Sequence, residues 1–166
     1  MTRAQLEIAA DRAAAEARID PKLLRAIAQA ESSWNPRAVS PVGAKGIVQI
    51  MPKTWAELRG RYGGPDDPFD PVQNLRLGAH YLREIATYLN SQGVPVTIRR
   101  VAAAYNGGMG MVTKRYRENR DEVGWPLESR NYAAKVARLV GSLGGTLSLG
   151  AVAAAAFLFL FVIPRL

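Results

Sequence analysis

A glutamate occupies a position where the helical pattern of this chain predicts a buried apolar residue. Leu24, Ile27 and Ala28 form the apolar stripe of a segment from about 21 to 34, and Glu31 is the next member of that stripe. Because burial disfavours the charged form, such a carboxyl either pairs with a cation or holds its proton near neutral pH. The second outcome makes a general acid. A helix-end glutamate bonded to the following loop is the alternative, and this helix alone leaves both open.

Most other catalytic chemistries lack the residues they need. The chain has no cysteine and one histidine, His80, which excludes thiol nucleophiles, disulfide scaffolds and metal sites with two imidazoles. A Ser-His-Asp triad would have to use His80, and no Gly-x-Ser-x-Gly segment presents a serine to it. We therefore expect His80 to be a packing residue and the protein to use neither a metal nor a cofactor. The segment 107–110 lacks the Lys-Ser/Thr pair of a phosphate-binding loop, so it predicts a turn.

The composition predicts one basic domain. The chain has 166 residues and a net charge of +8, from 22 basic and 14 acidic residues. A basic surface attracts nucleic acid, anionic lipid or a wall rich in carboxylates, so charge alone does not choose the partner. A nucleic-acid binder has no need of a carboxyl on an apolar stripe, and the sequence argues against that partner.

Turn and capping residues predict the helices that would position Glu31. Residues 1–19 form an Ala-rich amphipathic pattern, interrupted by too many charges to be a secretory signal. Asp20-Pro21 begins the helix that carries Glu31, and Asn35-Pro36 stops it after residue 34. Asp70-Pro71 opens another helix, and a third runs from about Ile98 to a glycine-rich turn. The sequence thus predicts a mainly α domain.

Together these segments resemble the lysozyme-like catalytic domain of the SLT-type lytic transglycosylases, over about residues 15 to 140. The motifs that carry the resemblance are Ala30-Glu31-Ser32, Ser40, Gly43-Ala44-Lys45-Gly46-Ile47-Val48-Gln49, Asp70-Pro71 with Asn74 and Gly78, Ala104-Tyr105-Asn106, and Asn131-Tyr132. The resemblance implies a goose-type lysozyme-like helical fold. Val48 stands where the family usually has methionine, so we expect a different sugar contact there.

The resemblance also implies a reaction and a substrate. The expected reaction cleaves the β-1,4 bond between N-acetylmuramic acid and N-acetylglucosamine of peptidoglycan and leaves a 1,6-anhydro end, with Glu31 as acid and then base. Ordinary glycosidases use two carboxylates about 5 to 9 Å apart. The nearest candidates for a second one, Asp66, Asp67 and Asp70, lie in a Pro/Gly-rich loop and predict turns and a helix cap instead.

Five further residues are expected in the site because they match the family's motifs. Ser40 would bind the acetamido or muramyl portion of the sugar, and Gln49 would line the groove. Tyr105 would contact the catalytic carboxyl, Asn106 would shape the same wall, and Tyr132 would be a second tyrosine of the site.

The end of the chain predicts a membrane anchor. Residues 144–163 supply about 20 apolar positions, enough to cross a hydrocarbon layer of roughly 30 Å. We therefore divide the chain into a catalytic domain, 1–140, and an anchor, 141–166, which inserts into lipid as a single transmembrane helix. Gly141 and Gly145 form a small-xxx-small pair that would allow self-association. A buried hairpin helix is the alternative.

The anchor leads to two hypotheses about location. Cations on its N-terminal side would normally hold the domain in the cytoplasm, away from the wall. A bacteriophage enzyme carried in the virion, in an internal membrane, would instead open the wall locally during genome entry. A wall-opening accessory of a bacterial secretion or conjugation system, in the inner membrane or cell envelope, is the alternative. A catalytically inactive peptidoglycan-binding domain of the same fold also stays open.

Overall fold

The computed structural model describes residues 1–143, and this part of the chain is mainly α, as the sequence predicts. Seven helices lie within it: α1 (Arg3–Ala17), α2 (Pro21–Ser32), α3 (Pro52–Tyr62), α4 (Pro71–Ser91), α5 (Ile98–Gly107), α6 (Met109–Arg117) and α7 (Leu127–Ser142). The segment between α2 and α3 is a tight loop in which Lys45 forms antiparallel bridges with Val39 and Ile50.

Side-chain caps fix the beginnings of the helices that matter most for the site. The Asp20 carboxylate accepts a hydrogen bond from Lys22 N at the start of α2, and Asp70 accepts one from Gln73 N at the start of α4. Both helices also carry proline in their first turn, where no backbone donor is lost. These local interactions explain why both starts are predictable from sequence.

The end of α2 differs from the prediction by two residues. The helix ends at Ser32, because Ser33 and Trp34 both have positive φ angles, 52° and 70°. The backbone N–H of Trp34 bonds the carbonyl of Ala28, which closes the helix with a left-handed turn. Trp34 then points into the core, with 4% of its surface exposed. The left-handed turn at Ser33 and Trp34 therefore ends the helix two residues before the end that Asn35-Pro36 predicts.

Three helix pairings bring together most of the core around the site. Helix α1 packs along α4 through the small side chains of its buried face, and α7 packs against α5 and α2. The buried face of α1 consists of Leu6, Ala9, Ala10, Ala13, Ala14 and Ala17. This arrangement confirms the amphipathic reading of residues 1–19, and it brings α7 alongside the end of α2 that carries Glu31.

Of the four residues 107–110 predicted to form a turn, only Gly108 lies between helices in the structure. Gly108 has a φ angle of 91° and separates α5 from α6, whereas Met109 and Gly110 already belong to α6. The helix resumes at once because the reversal needs a single residue in the left-handed region, which glycine adopts without strain.

The C-terminal end of α7 lies near the predicted domain boundary. The helix continues to Ser142, and Val140 is buried in the core. Within residues 1–143, no helix combines the length and hydropathy needed to cross a membrane. The predicted anchor at 144–163, like Gly145, lies outside the described residues.

Candidate active site

Glu31 lies in the last turn of α2 and is largely enclosed. Its carboxylate oxygen Oε1 accepts a hydrogen bond of 2.5 Å from the hydroxyl of Tyr132 on α7. Burial raises the pKa of Glu31 above the ordinary glutamate value, while the Tyr132 bond and the charge of Lys135 act in the opposite direction. The net effect is a carboxyl that holds its proton to higher pH than an exposed glutamate does.

Tyr105 lies close enough to Glu31 to sense its charge but does not hydrogen-bond the carboxyl. Its hydroxyl donates a 2.6 Å hydrogen bond to the carbonyl oxygen of Val48, and the bond to the carboxyl is made by Tyr132 instead. Burial raises the pKa of both tyrosines well above the usual value, and the nearby Glu31 charge adds to the effect. Both hydroxyls therefore stay protonated, as hydrogen-bond donors.

The loop between α2 and α3 is tied to both α2 and α4. Ser32 donates a hydrogen bond of 2.7 Å to the carbonyl of Ile47, which joins the loop to the residue next to Glu31. Asn74 on α4 is fully buried; it accepts from the N–H of Val48 and donates to the carbonyls of Lys45 and Pro68. These bonds place the carbonyl of Val48 where Tyr105 reaches it.

Two glycines make this close packing feasible. A Cβ added to Gly46 would lie 2.2 Å from the Asn74 amide nitrogen, and one added to Gly78 would lie 2.5 Å from Val48 Cγ2. The Val48 side chain is thus fully buried against α4. In this chain, residue 48 contributes its backbone to the site and its side chain to the core.

The other predicted groove residues are partly occupied by local hydrogen bonds. Ser40 accepts from Ala44 N, and the Gln49 amide donates to two carbonyl oxygens of its own loop. Gln49 also has a φ angle of 50°, an unusual conformation for a residue other than glycine. Asn106 is exposed and accepts a 2.8 Å hydrogen bond from Ser129. Within residues 1–143, none of these three hydrogen-bonds Glu31.

A second carboxylate does not act on Glu31. All 14 acidic residues lie within the described part of the chain, and the side-chain groups that shift the pKa of Glu31 are Tyr132 and Lys135. As predicted, Asp67 stabilises a turn by accepting from Phe69 N, and Asp70 caps α4. Asp66 accepts from the indole of Trp55.

His80 packs as predicted and has a polar partner. Its ring stacks on Tyr62 at 3.9 Å between centroids, and its Nε2 lies 3.1 Å from a Glu16 carboxylate oxygen. In the stretch 1–143, no three acidic or imidazole side chains come close enough together to hold a metal ion.

Lys135 and Ser32 are site residues that the sequence reasoning did not identify. Lys135 follows Tyr132 by three positions, so the two share a face of α7. That spacing is the signal that would have found it. Ser32 belongs to the Ala30-Glu31-Ser32 motif, but its loop partner Ile47 could not be read from the spacing.

A helical fold with one half-buried carboxyl at a helix end, whose pKa no second acid shifts, is what the resemblance to the lysozyme-like transglycosylases implies. The comparisons agree. The family model for the transglycosylase SLT domain matches residues 8–127, and the chain belongs to this family.

Two transglycosylases of phage and bacterial origin align with more than half of this chain. The transglycosylase of Enterobacteria phage PRD1 is 33% identical over 133 residues, 80% of this chain and 42% of that protein. Membrane-bound lytic murein transglycosylase C of Pectobacterium atrosepticum is 37% identical over 111 residues, 62% of this chain and 31% of that protein. The chain therefore spans less than half the length of these two relatives.

A solved structure shares the fold. The lytic transglycosylase Slt of Pseudomonas aeruginosa, solved as an inactive mutant with glutamine in place of a glutamate, superposes with a TM-score of 0.65 at 26% identity. The match covers 80% of this chain and 23% of that one. It confirms the predicted lysozyme-like SLT fold.

Proposed function

We propose that this protein is a peptidoglycan lytic transglycosylase in which Glu31 is the acid and then the base. The observation that carries the proposal is the half-buried Glu31 carboxyl, hydrogen-bonded by Tyr132, whose pKa is raised by burial and is not shifted by any other carboxylate. Such a group keeps its proton to higher pH than an exposed glutamate does, so it can give up a proton and take one back within the same reaction cycle. Family membership and the transglycosylase names of the relatives support the same activity.

The proposed reaction needs a single carboxyl. Protonated Glu31 transfers its proton to the oxygen of the bond between N-acetylmuramic acid and N-acetylglucosamine, and the C1–O bond breaks. The acetamido group of the substrate stabilises C1. The Glu31 carboxylate then takes the proton of the 6-hydroxyl, whose oxygen attacks C1 to form the 1,6-anhydro ring. The proton balance closes on Glu31, and no water is consumed.

Tyr132 supports the carboxylate stage of this cycle. Its hydrogen bond favours the ionised form of Glu31, which is the form left after the first proton transfer. Tyr105 orders the loop opposite through Val48. We further propose that Ser40, Gln49 and Asn106 contact the sugar, as their family positions imply.

The decisive experiment replaces Glu31 by glutamine. Wild-type protein is expected to release anhydro-muropeptides from isolated sacculi, detected by mass spectrometry. Glu31→Gln is expected to sediment with the sacculi and release none, because the amide has the same shape but cannot donate and recover the proton. The exposed Glu118, directly after α6, supplies the matched control Glu118→Gln, which should retain activity.

Three results would contradict the proposal. Wild-type activity in Glu31→Gln would show that Glu31 is neither the acid nor the base of the reaction. Products with reducing ends would mean hydrolysis. Wild-type protein that binds sacculi and releases nothing would support the alternative of a wall-binding domain without catalysis.

The location of the protein is a separate proposal. We infer that residues 144–163 anchor it in lipid and that it opens the wall locally during phage genome entry; the similarity to a phage transglycosylase supports this. A bacterial envelope accessory is the alternative, supported by the similarity to a membrane-bound transglycosylase. An immunoblot of purified virions and of fractionated cell envelopes separates the two proposals: the protein is found in the virions if it acts in phage entry, and in the envelope fractions if it is a bacterial accessory.

A further inference from the structure

Helix α7 holds Glu31 at two points. Tyr132 donates to the carboxylate, and one turn further along the same face the ammonium of Lys135 donates a 2.8 Å hydrogen bond to the carbonyl oxygen of Ala30. That carbonyl belongs to the peptide bond whose nitrogen is that of Glu31. The second contact therefore fixes the backbone directly before the carboxyl.

The carbonyl of Ala30 has no donor from its own helix. In a longer helix the N–H of Trp34 would bond it, but the left-handed turn after Ser32 sends that N–H to Ala28. A lysine at this place supplies the missing donor, and its positive charge is favourable at the negative end of the helix dipole. Lys135 thus replaces a bond that the turn removes.

We propose that Lys135 is a positioning residue for Glu31: its ammonium holds the backbone of Glu31 through Ala30, and its positive charge favours the ionised form of the carboxyl. This inference rests on the proposed function, and it adds to that function a residue through which the fold controls the acid.

Lys135 is the positively charged side chain that acts on Glu31 among the groups around it in residues 1–143. The groups that act on Glu31 from α7 are Tyr132 and Lys135. Tyr105 faces it from α5, and Tyr81 of α4 packs against Tyr105 at 5.4 Å between ring centroids. All three tyrosines have raised pKa values and stay neutral at working pH. Among residues 1–143, Lys135 is the cation that lowers the pKa of Glu31 against the effect of burial.

The direction of the expected change follows from the acid role. The acid must be protonated, so activity falls as pH rises through the pKa of Glu31. Removing the Lys135 charge raises that pKa. In Lys135→Met the alkaline limb of the kcat profile is therefore expected to move to higher pH, while kcat at the optimum falls about threefold to tenfold because the backbone contact is lost.

The test compares three variants with the wild type. Lys135→Met removes charge and donor, Lys135→Arg keeps both, and Arg138→Met removes the exposed cation one turn further along α7. The readouts are the pH profile of anhydro-muropeptide release and the carboxyl titration of Glu31 by carbon NMR. Only Lys135→Met should shift both to higher pH, and Lys135→Arg should restore the wild-type profile.

Several outcomes would overturn the proposal. A Glu31 titration in Lys135→Met that superimposes on the wild type refutes it, as does an equal shift in Arg138→Met. The NMR titration does not depend on turnover. An inactive wild type would therefore contradict the proposed function, whereas an unshifted titration would contradict only the role of Lys135.

A measurement on the wild type covers the case in which Lys135→Met fails to fold. Lys135 is an exposed residue, so salt screens its charge. The titration of Glu31 in the wild type should move to higher pH between low and high salt. A titration that does not respond to salt would refute the electrostatic part of the proposal.

Discussion

Replacing Tyr132 by phenylalanine should destabilise the protein by an amount that depends on pH. The substitution removes the 2.5 Å hydrogen bond from the tyrosine hydroxyl to Glu31 Oε1 and leaves the ring in place. A hydrogen bond to a charged group contributes about 1.5–3 kcal/mol to stability, and one between neutral groups about 0.5–1.5 kcal/mol. The cost should therefore grow by about 1 kcal/mol once Glu31 is ionised.

The sign follows from the raised pKa of Glu31 in the folded protein. A group whose pKa rises on folding contributes stability that is fully present below its unfolded value and is lost as pH rises through the folded value. For Glu31 the unfolded value is the ordinary 4.5. Because the Tyr132 bond lowers the folded pKa, its removal raises that pKa further and deepens the loss. The extra destabilisation should appear as pH rises through the folded pKa of Glu31 in the wild type, which lies above the ordinary 4.5, and should be complete once the carboxyl is ionised in the variant as well.

Tyr105→Phe is the matched control. It removes a 2.6 Å hydrogen bond from a tyrosine hydroxyl to the neutral carbonyl of Val48, so its cost of about 0.5–1.5 kcal/mol should not change with pH. Thermal unfolding followed by circular dichroism measures both variants from acid to mildly alkaline pH. Each kcal/mol should lower Tm by about 3–5 °C in a domain of this size. If the loss of stability in Tyr132→Phe is as flat with pH as that in Tyr105→Phe, the hydrogen bond does not act on an ionised Glu31 and the electrostatic reasoning fails.

Two further predictions concern the loop and the end of α7. Asn74→Ala should lower the free energy of unfolding by about 3 kcal/mol or more, because it removes three buried hydrogen bonds, and it should also lower activity. Unfolding in urea measures the loss of stability. A loss below about 1 kcal/mol would show that the loop keeps its conformation without Asn74. A chain ending at Leu143 should fold and cleave sacculi without detergent. A chain ending at residue 139 should be less stable, because it loses the buried Val140. Aggregation of the chain that ends at Leu143 would favour the buried-helix alternative for the tail.

The capped helices show why some elements could be predicted and others not. Helices α2, α4 and α5 begin at Asp20, Asp70 and Thr97, each of which accepts a backbone hydrogen bond with its side chain. A fourth helix, α1, is capped in the same way by Thr2. Helices α3 and α6 begin at Met51 and Gly108 without any side-chain cap. Capping is a local interaction that leaves a mark in the sequence, whereas packing against the core leaves none at the helix start.

The sequence by itself determined that Glu31 lies on the buried face of α2, because the stripe of Leu24 and Ile27 repeats with the helical period. The tertiary structure decided which side chains contact the Glu31 carboxyl on that face. Tyr132 is 101 residues away in the chain, and the loop carbonyl that Tyr105 bonds is 57 residues from it. Local periodicity fixes the face that a side chain occupies, but it contains no information about which distant tyrosine packs on that face. The crossing of α7 over the end of α2 made the choice, and the same crossing brought Lys135 to Ala30.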